Sequence, residues 1–101
     1  MIQNASTQSI VGNVPTAISP TAGQAVRVFS LHIISGGGGA SVVSLRNGSS
    51  GSGTIWITET GTVSTGKTFN YGTQGILFPL GCFVSTDTNS ADVTVIWADV
   101  V

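Results

Sequence analysis

Residues 91–100 read ADVTVIWADV, with Val93, Val95 and Trp97 on one side of the string and Thr94, Ile96 and Ala98 on the other. A period of two held over that length is the mark of a β-strand with one face toward a core. Residues 24–34, QAVRVFSLHII, alternate the same way, with Phe29, Leu31 and Ile33 on one face and Val26, Val28, Ser30 and His32 on the other. The Phe29 face is the expected core side. Shorter β-branched and aromatic runs follow at 40–46, 54–59 (TIWITE), 67–71, 75–80 and 81–86, where Pro79 should mark an edge or a bend. Glycines at 36–39 break the chain after the first long strand, and Asn47-Gly48 opens a Gly/Ser stretch to Gly53 that is expected to be a mobile loop. No segment carries a helical period. About seven strands at roughly ten-residue spacing specify an all-β fold, an antiparallel β-sandwich of jelly-roll-like kind.

Residues 1–22 hold Pro15 and Pro20 among Ser, Thr, Asn and Gln, with few apolar residues, and are expected to form an extended N-terminal arm ahead of a sandwich domain at 23–101. Such an arm cannot build a core alone, but it can order on a neighbour. Its apolar residues Ile10, Val11, Val14 and Ile18 are therefore candidate partner contacts. Val26, Val28 and His32, on the expected outer face of the first long strand, are candidates for the same role against a sister subunit.

Only seven of the 101 residues are charged, three basic and four acidic, for a net charge of −1. Phosphate neutralisation needs clustered Lys and Arg, and Arg27, Arg46 and Lys67 are scattered, so no nucleic-acid partner is expected. No run approaches the roughly 18 apolar residues of a membrane span, and the N-terminus lacks the basic start and apolar core of a secretory signal. The expectation is a soluble chain made in a cytoplasm, with no membrane partner. Cys82, the sole cysteine, sits in an alternating run and is read as an apolar thiol filling core space. Asn4-Ala5-Ser6 and Asn47-Gly48-Ser49 fit the glycosylation pattern, which has meaning only in a secreted eukaryotic protein.

Residues 61–68, GTVSTGKT, fit the phosphate-loop string GxxxxGK[ST], and the run ending at Asp99 imitates its usual companion strand. The chemistry of that string requires a helix beginning at the Gly-Lys pair, inside a parallel βαβ unit. The chain instead continues as TFNYGTQG from Thr68 and then reaches Pro79, a glycine-rich and β-forming stretch unsuited to a helix. The match is read as compositional. His32 has no second histidine or cysteine pair for a metal, and although Glu59, Asp87, Asp92 and Asp99 could supply a glycosidase pair, Asp87 and Asp92 flank the turn at 88–90, where acids serve as turn formers and solubilisers. Trp56, Tyr71 and Trp97 could line a sugar groove, although strand packing is the default for aromatics so placed. Neither enzymatic activity nor a cofactor is expected.

A short N-terminal arm, a strand rich in Val and Ile, VSLRNG at 43–48, a Gly/Ser loop, GTIW at 53–56, FPLGCFV at 78–84 and DVTVIW at 92–97, in that order, resemble the capsid decoration (cement) proteins of tailed bacteriophages. The resemblance spans about residues 24–100 and lies in strand-and-glycine spacing. It implies a β-rich, trimeric virion structural protein on the outer capsid surface, bridging major capsid proteins, synthesised in the host cytoplasm and without catalytic residues. A tail, fibre or baseplate module binding host-surface glycans is the alternative.

Overall fold

The computed structural model describes residues 6–10, 15–18, 24–36, 39–61, 66–89 and 91–99. Among them are nine strands and no helix: β1 Ser6–Ile10, β2 Thr16–Ile18, β3 Val26–Ser35, β4 Val42–Asn47, β5 Thr54–Thr60, β6 Gly66–Asn70, β7 Ile76–Phe78, β8 Cys82–Thr88 and β9 Ala91–Asp99. They form two antiparallel sheets, one ordered β1-β9-β3-β6 with β7 also on β3, the other β2-β8-β4-β5. Strands β6 and β7 share one edge of β3, the first against Ser30 to Ile34 and the second against Val26 to Val28.

Buried residues from both sheets belong to one cluster. The first sheet contributes Val26, Val28, Leu31, Ile33, Val93 and Val95, and the second Ile18, Val43, Leu45, Cys82 and Val84. This membership corrects the expected facing of β3. Strict alternation would put Val26 and Val28 opposite Leu31 and Ile33, yet all four are 0% exposed. A β-bulge reconciles them: against β9 the register steps from Val28↔Trp97 to Ser30↔Ile96, leaving Phe29 as the extra residue. One inserted residue reverses the facing of everything beyond it. Val26 and Val28 are core residues and present nothing to a sister subunit.

The described parts of the N-terminal region are strands in these sheets. Strand β1 pairs with β9, and β2 pairs with β8, placing Ile18 opposite Cys82. Ile18 is 1% exposed and belongs to the core, which corrects its reading as a partner contact. The loop after Asn47 is tied at several points: Gly48 N–H donates to the Gly81 carbonyl at 2.9 Å, Gly53 N–H to the Ser50 carbonyl at 3.2 Å, and Arg46 Nη1 to the Gly53 carbonyl at 3.1 Å.

Leu31→Ala should lower unfolding free energy in urea by about 2–5 kcal/mol, because it empties a fully enclosed site. Ile34→Ala, three residues on and 44% exposed, should change it by no more than about 0.5 kcal/mol.

Candidate functional site

Beyond the bulge, the residues of β3 that turn away from the core are Ser30, His32 and Ile34. Register extends each into a row across the sheet: Asn70, Ser30 and Ile96; Thr68, His32 and Thr94; Gly66, Ile34 and Asp92. On the other side of the bulge, Arg27 lies between Leu77 and Ala98. This face spans about 23 Å along β3, at roughly 3.3 Å per residue. Asp92 is at one end and Arg27 at the other, and between them the described rows are uncharged. Ile34 is 44% exposed, and Ile96 and Leu77 are 38% exposed.

At the centre of the face, His32 Nδ1 lies 2.7 Å from Thr68 Oγ1. The imidazole occupies the space above Gly66, where an added Cβ would sit 2.5 Å from Nε2. The glycine of the GKT string thus makes room for a histidine. Gly66–Asn70 is a strand, not the start of a helix, and Lys67 Nζ stands 5.2 Å from the centroid of the Phe69 ring. Residues 62–65 lie outside the described residues. No cluster of three or more His, Cys, Asp or Glu side chains capable of holding a metal occurs among the described residues.

Among the described carboxylates, Asp92, Asp99 and Glu59 do not converge. Asp92 and Asp99 stand at opposite ends of β9, and Glu59 belongs to the other sheet, where it accepts a 2.8 Å hydrogen bond from the Tyr71 hydroxyl. Asp99 Oδ1 and Trp97 Nε1 are buried and have no hydrogen-bond partner among the described residues. Burial, and then the hydrogen bond to Glu59, raise the Tyr71 phenol well above its ordinary value of 10.0. Burial alone pushes the Cys82 thiol from 9.0 up to about 12, consistent with its place in the core. Of the three aromatics considered for a sugar groove, Tyr71 and Trp97 pack against the core cluster. Trp56 is 46% exposed and stacks on buried Phe78, with ring centroids 5.4 Å apart and planes inclined by 30°.

Of the expected partner-contact residues that are described, only His32 is placed on this face. Ile10 is in β1, its backbone opposite Val93, and Val11 and Val14 lie outside the described residues. Ile18, Val26 and Val28 are interior. Sequence reasoning missed Ile34, Ile96 and Leu77. Ile34 was within reach, because it shares parity with Ser30 and His32; Leu77 faces solvent only because β7 pairs with β3. Compared with known proteins, the chain matches no family model and no curated relative.

Tyr71 and Cys82 both hold, in the folded chain, protons that the unfolded chain releases more readily. The stability tied to them is complete below pH 9 and falls as pH rises from 9.0 through about 12. The melting temperature should therefore be level to about pH 8 and drop from about pH 9 upward. The drop should be shallower in Tyr71→Phe, which at neutral pH should cost about 1–2 kcal/mol for the lost bond to Glu59.

Proposed function

We propose that this protein is a virion structural component, a decoration protein that binds the outer surface of a tailed-phage head as an oligomer, in the first instance a homotrimer. It would stabilise the head by bridging neighbouring major capsid proteins. The observation that carries the reading is the outer face of the β3 sheet, where Ile34, Ile96 and Leu77 stand exposed among Ser, Thr, Asn and His. A face without ions at its centre can be buried at low desolvation cost, because neutral hydroxyls and amides need only hydrogen-bond partners. Exposed apolar side chains supply the driving area. Each bridge adds interfacial free energy between capsomers that must be overcome before they separate.

The strand order supports the jelly-roll part of the proposal. Taking β6 and β7, which share an edge of β3, as one interrupted strand turns the two sheets into 1-8-3-6 and 2-7-4-5, the arrangement in which two Greek keys wrap into a sandwich. Viral capsid domains and lectins use this architecture. Ser6–Ile10 and Thr16–Ile18 are both bound into the sheets, so the capsid contact is assigned to the outer face of the β3 sheet rather than to the N-terminal residues. The protein would be made in the host cytoplasm and act without cofactor or catalysis.

Trp56 favours a second reading, glycan binding by a tail, fibre or baseplate module. An exposed indole backed by a buried ring is a rigid platform for the apolar face of a sugar.

Electron cryomicroscopy of heads incubated with the protein should show density at many equivalent sites on the shell. An Ile34→Asp/Ile96→Asp variant, altered only at exposed positions, should melt within a few degrees of wild type yet lose about 90% of its occupancy, which from a nearly filled shell is roughly hundredfold weaker binding, about 2.8 kcal/mol. Full occupancy by that variant would exclude this face as the attachment surface. Density confined to the tail, together with glycan retention that Trp56→Ala abolishes, would establish the second reading instead.

A further inference from the structure

We propose that the outward edge of β5 pairs antiparallel with the same edge of a second copy of this chain, across a two-fold axis centred on Thr58. Among the described residues, strand β5 is the last strand of its sheet and is bonded to β4 alone. Among the described residues, no backbone bond outside the ladders involves Thr54–Thr60. The N–H and C=O groups along such an edge are met in full by another extended backbone, so the chemistry of the edge names a β-strand as its occupant.

The other edges differ from β5 in ways that matter for pairing. Strands β2 and β7 are three residues long, with Pro15 immediately before the one and Pro79 immediately after the other. Strand β6 begins with Gly66-Lys67, and β1 is a short polar run, STQSI. Short length, proline and lysine are the devices that keep edges from pairing. Strand β5 has seven residues, TIWITET, with no proline and no lysine, and carries its bulge at Trp56 and its one charge, Glu59, bonded across to Tyr71. Its apolar residues Ile55 and Trp56 are 45% and 46% exposed, so a second strand would remove apolar surface from water as well as satisfy backbone groups.

Two constraints choose the copy and the register. The only charge on β5 is Glu59, hydrogen-bonded to Tyr71, so two identical strands meet with no repulsion unless Glu59 is set against its own copy. A two-fold axis normal to the sheet keeps outward side chains facing outward, and so the axis must pass beside a residue rather than between two. Centring on Glu59 opposes two carboxylates. Centring on Ile57 brings in the β5 bulge, where the register steps from Leu45↔Ile57 to Arg46↔Ile55 and Trp56 is the extra residue. Centring on Thr58 sets Glu59 opposite Ile57 and moves the bulged Trp56 to the end of the paired run, opposite Thr60, and it places the two Thr58 side chains directly opposite each other on the outer face. That pair is favourable across antiparallel strands. The contact is independent of the capsid reading and could join single chains or members of adjacent oligomers.

The test uses the full-length protein. Thr58→Cys should be trapped as a disulfide-linked dimer under mild oxidation, at least about tenfold more completely than Asn70→Cys on the exposed β6 edge, because a cross-strand pair matches disulfide geometry. Buried Cys82 serves as a silent background. In sedimentation equilibrium the wild type should form even-numbered species, and Ile55→Lys/Thr58→Lys, which sets ammonium groups opposite each other, should weaken that association by at least about tenfold. Hydrogen exchange of the wild type, which needs no variant to fold, should show 57–60 amides protected at high concentration and exposed on dilution. A chain that is monomeric throughout, or only odd-numbered, or equal trapping of the Thr58→Cys and Asn70→Cys variants, would overturn the pairing. Trimers bound to heads with no β5–β5 contact between neighbouring trimers would do so while leaving the capsid reading intact.

Discussion

The bulge at Phe29 is the constraint on which the rest of the first sheet depends. Strand β3 lies against β9 on one side and against β6 and β7 on the other, so its facing is imposed on all of them. The extra residue puts Val26 and Val28 on the same side as Leu31 and Ile33. The break between β6 and β7 falls at the same place. Tyr71 N–H donates to the Phe29 carbonyl at 2.9 Å, and Gly75, at φ 67, passes so close to the Val28 carbonyl that an added Cβ would lie 2.6 Å from its oxygen. A side chain there would force the turn away from β3 and open the bulge.

With few charges to use, the chain fixes its loops by neutral side chains bonding to backbone. Ser35 Oγ accepts from Ser41 N–H at 3.1 Å, Asn47 Oδ1 accepts from Leu80 N–H at 3.0 Å, and Asn89 Nδ2 donates to the Ala40 carbonyl at 3.0 Å. Each satisfies a backbone group that would otherwise need water, and none requires desolvating an ion. This economy carries through to the surface. Between Arg27 and Asp92 at its two ends, the outer face of the β3 sheet holds its polar groups as hydroxyls, an amide and an imidazole, so covering that centre asks for hydrogen bonds and not for counter-charges. The β5 edge offers a different kind of contact, made by backbone and therefore indifferent to most side-chain chemistry. Face and edge belong to different sheets, and so one chain can use them on two partners at once.

Alternation by itself determined much of this protein. Strands β3 to β9 fall where residues 24–34, 40–46, 54–59, 67–71, 75–80, 81–86 and 91–100 alternate or carry β-branched runs, and the turn at Pro79 was legible from proline's fixed φ. The strand at Gly66–Asn70 also follows from local composition, since a helix could not begin in so glycine-rich a stretch. Strands β1 and β2 were not legible. STQSI and TAI have too little apolar content to announce a strand, and they become strands because β9 and β8 offer them open edges. Tertiary structure alone decided which face of β3 is inside. A bulge inserts one residue without altering the local preference of any other, so the pattern 24–34 reads equally well in either phase until β9 fixes the register. That single non-local choice moved Val26 and Val28 into the core and left Ile34, Ile96 and His32 to make the surface.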